Sequence, residues 1–380
     1  MLKAFARLAG FYRDYHFNGG TMPSPSTLYL NITSRCNSRC VYCEIGRKTD
    51  TLAPSGPELS TERLLQLVAE MAEWGIRLLV LGGGEPMVRP DIFEFLDACR
   101  QHGINVSLAT NGLTIARLSH DRLEQLKATT SNVQVSLDSV APEKHDALRG
   151  VPGGFRQAVA SLETMVNAGF PDVSTNMVIT TDNWDEIPEM IRFVKGIGVR
   201  FARFAVMAPI SIFPTMKAAE SKEALLPKDK ETVRKLYGSI IEGIRVAKEV
   251  GMATSLESLE PWVQAYHLYA GSDDFFFRHI DGLKRFGCFI PFREVIIDYE
   301  GNILPCSYLP PVGNIAEAPL KETWQESLRP VRERLRQGRF YRECASCSCH
   351  FPYNYDYSVF LFPARNIRRL ISTAAKHVRS

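Results

Sequence analysis

The chain has 380 residues, of which 45% are hydrophobic and 23% charged, a composition typical of a globular protein with room for one large domain and a smaller one. Its formal net charge of +3 is too small to predict a nucleic-acid partner. No apolar run approaches the roughly 20 residues that cross a bilayer, and the N-terminus lacks the apolar core and cleavage site of a signal peptide.

The chain begins with a short basic amphipathic segment and continues as alternating strands and helices. From residue 28 onward, short β-branched runs alternate with helical patterns, which is typical of βα units around a parallel sheet. The predicted strands are 28–32, 78–82, 104–109, 132–137, 173–179 and 200–206, and the predicted helices are about 60–74, 90–102, 119–127, 154–168, 184–196 and 228–250. Ser60 is a plausible cap for the first of these helices. Six such units fall short of a closed eight-stranded barrel, so the predicted fold class is α/β, a partial (β/α)6 TIM-like barrel.

Three cysteines stand on a short loop directly after the first predicted strand. Cys36, Cys40 and Cys43 follow one another at spacings of four and three residues. Thiolates are soft ligands that suit iron–sulfur clusters and zinc. Three on one loop can each hold one iron of a [4Fe–4S] cube and leave the fourth iron open to a small molecule. A zinc site completed by one distant ligand is the alternative.

A glycine-rich turn, residues 82–86, follows the second predicted strand and reads Gly-Gly-Gly-Glu-Pro. A CxxxCxxC loop with Tyr42 before its last cysteine, followed by GGEP after the next strand, resembles the radical S-adenosylmethionine (SAM) superfamily. The resemblance implies a [4Fe–4S] cluster whose open iron chelates SAM, an aromatic residue near the adenine, and a GGEP loop that holds the amino group. The residues carried over are Cys36, Cys40 and Cys43 for the cluster, and Tyr42, Gly83, Gly84 and Glu85 for SAM.

A third stretch resembles one branch of this superfamily. Ser136-Leu137-Asp138-Ser139 ends the fourth predicted strand, and residues 145–150 follow in the next loop. The pattern is similar to the SLDG…HDxxR segment of radical SAM enzymes with a C-terminal SPASM or twitch extension. There the serine contacts the SAM ribose or carboxylate, and the arginine, here Arg149, pairs with the carboxylate through its fork of donors. Ser139 stands where glycine is usual. The alternative is a solvated arginine and a serine that caps a helix.

A second group of cysteines lies near the C-terminus. Two of them flank residues 295–304, whose alternation around a Glu-Gly-Asn turn predicts a β-hairpin. Together with a CxxC they supply four soft ligands, which zinc could also use. The resemblance implies one auxiliary [4Fe–4S] cluster in a small cysteine-rich SPASM/twitch domain. Its predicted ligands are Cys288, Cys306, Cys344 and Cys347, with Cys349 as a substitute for Cys347. Cys99 is expected to be a core residue within a helix.

The resemblance implies that the chain reductively cleaves SAM to methionine and a 5′-deoxyadenosyl radical, which abstracts hydrogen from an unactivated C–H bond. The cofactor does the hard chemistry, and the protein supplies orientation and a dry site. An auxiliary cluster with a full ligand set suits electron transfer and favours net oxidation of a small hydroxylated or lipid-linked substrate. Maturation of a ribosomally made peptide is a second hypothesis, and a non-catalytic zinc scaffold is a third. An electron donor such as flavodoxin or ferredoxin is the expected protein partner.

The predicted organisation has five parts: an N-terminal amphipathic helix and linker (1–24), the barrel (25–225), a connecting helix and bridging region (226–285), the auxiliary cluster domain (286–350) and a basic amphipathic tail (351–380). Basic amphipathic helices can lie in a membrane interface. Peripheral contact of both ends with the inner membrane surface is therefore one hypothesis, and docking on the barrel is the other. Because the nine cysteines cluster at metal-ligand spacings, we predict a reducing, cytoplasmic location.

Overall fold

The structure is a computed structural model that describes residues 10–17, 24–207, 225, 229–260 and 287–346. The predicted ligand Cys347, its substitute Cys349 and the basic tail 351–380 lie outside these residues. Of the predicted N-terminal helix, residues 10–16 are described and are helical.

A ten-stranded sheet carries the fold. Strands β1 to β7 are parallel and follow one another across it in chain order. The first six are the predicted strands to within a residue at each end, so the α/β partial barrel is confirmed. The strands are β1 Thr27–Asn31, β2 Leu78–Gly82, β3 Asn105–Thr110, β4 Asn132–Ser136, β5 Val173–Ile179, β6 Phe201–Val206, β7 Ala253–Thr254, β8 Glu294–Ile297, β9 Asn302–Leu304 and β10 Gly313–Asn314.

The helices connect these strands and present one apolar face to the sheet. The first begins after Ser60, whose side chain accepts a hydrogen bond from Arg63 N at 3.2 Å, as predicted. It ends at Gly75, in the left-handed region with φ 82°. The helices are α1 Thr61–Trp74, α2 Ile92–Gln101, α3 His120–Thr129, α4 Pro142–Arg149, α5 Gly154–Asn167, α6 Ile187–Ile197, α7 Lys230–Val250, α8 Ile290–Arg293, α9 Leu320–Glu322 and α10 Arg329–Arg336. The short helix α4 was not predicted, although Pro142 at its start and Gly150 after its end are signals for one.

The predicted C-terminal hairpin is present as β8 and β9. Its first strand pairs in parallel with β1, and β10 pairs with β9 at the far edge. Val295 and Ile297 of β8 are fully buried, so this strand closes the apolar interior on the side of β1 that β2 leaves open. The auxiliary hairpin is therefore a continuation of the barrel sheet.

The N-terminal helix packs against the segment that follows Cys288. The Tyr15 ring lies 5.5 Å from that of Phe289 and 5.1 Å from that of Phe292, and Phe11 meets Phe289 at 6.0 Å. Tyr15 is buried, whereas Phe17 is exposed. Among the helices in the described ranges, none is both long and apolar enough to cross a bilayer.

Candidate active site

The cysteine loop is fastened to the glycine turn at the carboxyl ends of β1 and β2. Gly84 N donates to Thr33 O at 2.7 Å, and Glu85 N donates to Arg35 O at 2.8 Å. A Cβ on Gly84 would lie 2.1 Å from Arg35 O. Only glycine permits this approach, so the glycine turn and the cysteine loop form one rigid unit.

The other side of the cysteine loop is fastened to the end of α4. Arg39 N donates to Arg149 O, and Val41 N donates to Leu148 O, both at 3.0 Å. Gly150 follows with φ +63°, and a Cβ there would lie 2.3 Å from Arg39 O. The backbone between Cys36 and Cys43 is therefore held from two sides before any ligand binds.

Glu58, a residue that sequence reasoning missed, anchors the start of the cysteine loop. One oxygen of its carboxylate accepts hydrogen bonds from Thr33 Oγ1 at 2.7 Å and Ser34 N at 2.9 Å. The other oxygen pairs with Arg35 at 3.2 Å. The buried Arg89, whose Nη1 lies 3.8 Å from Glu58, also donates to Ile32 O at 3.0 Å. This ionic network holds the loop to the end of β1.

One cavity is lined by the three cysteines of the cysteine loop and by most of the residues predicted to bind SAM. Its volume of about 340 Å³ is within the range of small-molecule sites. The lining comes from the ends of five strands, β2 to β6, from the cysteine loop and from the end of α4. It comprises Cys36, Ser38, Cys40, Tyr42, Cys43, Ile45, Gly82, Gly83, Gly84, Ala109, Thr110, Asn111, Ser136, Arg149, Asn176, Val178, Ala205, Val206 and Met207.

The cavity thiols are held in an apolar setting that favours their neutral form. Burial, followed by the nearby Glu85 carboxylate, raises the pKa of Cys36 to about 12. Burial and then Cys40 raise the pKa of Cys43 to about 11. A soft metal would replace these protons, because a coordinating thiol is deprotonated.

Glu85 is completely buried and acts on the loops rather than on the cavity surface. Its carboxylate accepts hydrogen bonds from Thr110 Oγ1 at 2.8 Å, Asn111 N at 2.6 Å and Met87 N at 3.1 Å. Burial raises its pKa, and the donors counteract that rise. Glu85 thus ties the glycine turn to the end of β3, while Gly82, Gly83 and Gly84 face the cavity.

Tyr42 and Arg149 both contact the buried carboxylate of Asp138. Asp138 belongs to the sequence pattern at residues 136–139, but no role was predicted for it. Asp138 Oδ2 accepts a hydrogen bond from Tyr42 Oη at 2.5 Å and lies 2.6 Å from Arg149 Nε. Arg149 Nη1 lies 3.7 Å from Cys40 Sγ. The hypothesis of a solvated surface arginine is therefore wrong, because the Arg149 side chain is only 11% exposed.

Ser136 and Asn176 occupy matching positions on neighbouring strands. They are register partners at the ends of β4 and β5, and both line the cavity. Asn176 was missed, although its place at a strand end was a usable signal. Ser139, which replaces the usual glycine, donates from Oγ to Glu186 at 2.6 Å. No described residue other than glycine has a positive φ, so the serine is accommodated without strain.

In the C-terminal group, Cys306 and Cys344 are buried and Cys288 is half-buried. Burial raises the pKa of Tyr341, Arg334 lowers it, and the Cys344 and Cys306 thiols raise it further. The backbone places Cys344 beside Tyr341, since Cys344 N donates a hydrogen bond to Tyr341 O at 3.1 Å.

In the part of the chain that the structure describes, no group of three or more His, Cys, Asp and Glu side chains is arranged to hold a single metal ion. The ligands of a cube need not meet at one point, since each binds a different iron.

Comparison with known proteins gives matches over both parts of the chain. A family model of the radical SAM superfamily matches residues 30–194, and a model of SPASM, an iron–sulfur cluster-binding domain, matches residues 288–348. The AdoMet-dependent heme synthase of Methanosarcina barkeri is 29% identical over 325 residues, which are 82% of this chain and 85% of that protein. The mycofactocin maturase MftC of Mycolicibacterium smegmatis is 29% identical over 350 residues, 87% of this chain and 77% of that protein.

Among solved structures, Streptococcus suis SuiB bound to precursor peptide SuiA has a TM-score of 0.61 with this chain at 18% identity. The match covers 89% of this chain and 72% of SuiB. At this identity the likeness concerns the fold.

Proposed function

The chain is a radical SAM enzyme with a C-terminal SPASM-type iron–sulfur domain, and we propose that it abstracts hydrogen from a C–H bond of its substrate during a net oxidation. The observation that carries the proposal is the shared cavity. Three thiols, two of them buried, line it together with a glycine turn, a strand-end serine and a largely buried arginine.

We assign the SAM-binding [4Fe–4S] cluster to Cys36, Cys40 and Cys43. The donor set fits, because all three are soft thiols on one loop that is held from both sides. When bound and reduced, such a cluster supplies the electron that splits SAM into methionine and a 5′-deoxyadenosyl radical, the species that removes hydrogen from the substrate.

The protein's part in this chemistry is to hold SAM and exclude water. The backbone of Gly83 and Gly84 faces the cavity, where peptide groups can meet the amino group of SAM. Arg149 Nε pairs with Asp138, and Arg149 Nη1 contacts Cys40 Sγ. The guanidinium group has further N–H donors, which we assign to the SAM carboxylate. Ser136 is assigned to the ribose or carboxylate and Tyr42 to the adenine. Glu85 contributes by fixing the turn.

We assign the auxiliary [4Fe–4S] cluster to Cys288, Cys306, Cys344 and Cys347. The family model for the SPASM domain supports this assignment, because it matches residues 288–348 and so includes all four cysteines. A cluster with a full set of protein ligands suits electron transfer and would supply an acceptor for the electron of the substrate radical. This makes the overall reaction an oxidation.

A peptide is the substrate class that the comparisons favour, since MftC is a maturase and SuiB was solved with a precursor peptide. The second candidate is a small molecule, supported by the heme synthase at the same identity. Mass spectrometry of candidate peptides incubated with enzyme, SAM and dithionite tests the first, with loss of hydrogen as the expected mass change.

The central test is replacement of all three loop cysteines by alanine. The triple variant of Cys36, Cys40 and Cys43 is expected to lose 5′-deoxyadenosine production under dithionite and to keep its auxiliary cluster. Reconstituted iron should fall from about eight to about four per chain. Cys99→Ala is the matched control, because this buried cysteine lies in α2, away from the cavity. Continued 5′-deoxyadenosine formation by the triple variant would contradict the proposal.

A further inference from the structure

Asp138 joins three elements around one thiol of the cysteine loop. It follows β4 and is completely buried. Its Oδ1 accepts a hydrogen bond from Val178 N at 2.9 Å, on β5, while Oδ2 meets Tyr42 and Arg149. The Nε–H of Arg149 is not well directed at the carboxylate, so this 2.6 Å contact is an ion pair more than a hydrogen bond. Arg149 Nη1 points instead to Cys40 Sγ at 3.7 Å.

The pair is charge-balanced, and two of its hydrogen-bonding neighbours, His145 and Tyr42, are neutral. Burial disfavours the guanidinium charge, but Asp138 keeps the pKa of Arg149 well above its ordinary value. His145 accepts a hydrogen bond from Asp138 N at 3.2 Å, and burial followed by Arg149 lowers its pKa to about 4, so its ring is neutral at pH 7. Tyr42 donates its hydroxyl hydrogen to the carboxylate and adds no charge. The Glu85 carboxylate adds a negative charge that also interacts electrostatically with Arg149.

We propose that the buried Asp138–Arg149 pair sets the reduction potential of the cluster held by Cys36, Cys40 and Cys43, acting through the N–H···S contact at Cys40. Asp138 is a positioning residue in this scheme, since it orients both Arg149 and Tyr42 and offsets the arginine charge. The inference rests on the proposed function, because it needs the cluster on these three cysteines. The step concerned is the uptake of one electron by the cluster from an external reductant, which is itself oxidised by one electron.

The physical basis is the added negative charge of the reduced cluster. Hydrogen bonds to cluster sulfurs and nearby charges set the potential of an iron–sulfur centre. The Arg149 cation stabilises the reduced state, and the Asp138 anion opposes it. In a buried site the two effects are screened little. Removal of either partner alone therefore leaves an unbalanced charge beside Cys40, and the two removals act in opposite directions.

The experiment is a redox titration of the reconstituted full chain without SAM, followed by electron paramagnetic resonance. Arg149→Gln is expected to make the potential more negative, and Asp138→Asn to make it more positive. Each should change the ratio of reduced to oxidised cluster at a fixed potential by tenfold or more, which is 59 mV for a one-electron couple. The double variant should return toward the unmutated value. Arg63→Gln, which breaks the 2.9 Å pair with Glu70 outside the cavity, is the matched control and should not shift it.

Opposite shifts support the inference, because a merely structural role would move both variants the same way. Shifts in one direction, or none, overturn it. If the Asp138→Asn variant does not assemble its cluster, a comparison of the reduction potentials of Arg149→Lys and Arg149→Gln tests the inference instead. Lysine keeps the charge and should hold the potential nearer the unmutated value, and equal potentials for the two would overturn the inference. A SAM-binding cluster that survives the triple replacement of Cys36, Cys40 and Cys43 would contradict the proposed function instead.

Discussion

At the scale of single residues, His145 makes stability depend on pH. Its ring is buried and accepts a hydrogen bond from Asp138 N, which requires an unprotonated Nδ1. Burial, followed by the charge of Arg149, lowers its pKa to about 4. An unfolded histidine titrates near 6.5, so between the two values the unfolded chain binds the extra proton. The free energy of unfolding therefore falls as pH falls through this window.

Between pH 7 and pH 5 the contribution of His145 amounts to about 2 kcal/mol of lost stability. His145→Asn, whose amide oxygen can accept the same hydrogen bond, should remove this part of the pH dependence. Urea unfolding at both pH values measures it. The exposed His102→Gln should keep the full dependence. An Asn variant as acid-sensitive as the unmutated chain would show that His145 titrates normally.

Residues whose role is fixed by local spacing were predictable from the sequence, and residues whose role depends on distant partners were not. The cysteine loop and the glycine turn carry their signal within a few positions. Asp138 lies 96 positions from Tyr42, and Glu58 lies 25 from Thr33. A buried carboxylate with such partners looks in the sequence like any polar residue near a strand end.

At the scale of elements, the strands were predictable because each is a short buried run between turns, but the pairing of the hairpin was not. The hairpin itself follows from alternation around the Glu-Gly-Asn turn. Its attachment to β1 depends on contacts across most of the chain, such as that of Ser26 N with Arg293 O at 2.7 Å. Sequence periodicity reports which face of a strand is buried, and does not report which strand lies beside it.

This attachment places part of the C-terminal domain against the cysteine loop. Tyr299, in the turn of the hairpin, is almost completely buried and packs with Cys36 and Ile45. Its carbonyl accepts a hydrogen bond from Leu59 N at 2.9 Å. The hairpin therefore supports the segment that ends at α1 as well as the auxiliary cysteines. A change in the structure around the auxiliary cysteines would therefore alter the packing of Tyr299 against Cys36.

The auxiliary cluster should stabilise the C-terminal region, because metal binding there is also folding energy. Cys306→Ala and Cys344→Ala are each expected to lower iron toward about four per chain and to lower the temperature of unfolding of the reconstituted protein. SAM cleavage without coupled substrate oxidation should persist. Iron analysis and differential scanning calorimetry measure both effects, with Cys99→Ala as control. Unchanged iron content in both variants would contradict the assignment of Cys306 and Cys344 as ligands of the auxiliary cluster.

At the scale of the whole molecule, the contacts of the N-terminal helix test whether this end of the chain docks on the protein or lies in a membrane interface. The Tyr15 ring packs against Phe289 and Phe292, and the Phe11 ring packs against Phe289. For residues 10–16 these contacts favour the docking hypothesis over the membrane hypothesis. The same contacts place the helix beside Cys288, where it covers the aromatic flank of the auxiliary domain.

Two arginines are exposed on the surface over the cysteine loop, and we expect an acidic electron donor to dock there. Arg39 and Arg47 are exposed, and the Arg39 guanidinium is fixed by the carbonyls of Lys48 at 3.1 Å and Thr49 at 2.9 Å. Arg39 directly precedes Cys40 in the chain, so a donor docked on this surface would lie close to the cysteine loop. Flavodoxin or ferredoxin carrying a negative face would be attracted to it at low salt.

Reversal of one charge on this surface should separate donor binding from the chemistry. Arg47→Glu is expected to slow flavodoxin-driven 5′-deoxyadenosine formation about tenfold at low salt, since like charges suppress productive encounter. The difference should shrink as salt rises and screens the surface. With dithionite, which needs no docking site, the variant should match the unmutated chain. Arg192→Glu, an exposed arginine on α6, is the control and should leave both rates unchanged. Equal loss with both reductants would mean that Arg47 supports the cysteine loop and not a donor, and no loss with flavodoxin would place the docking surface elsewhere.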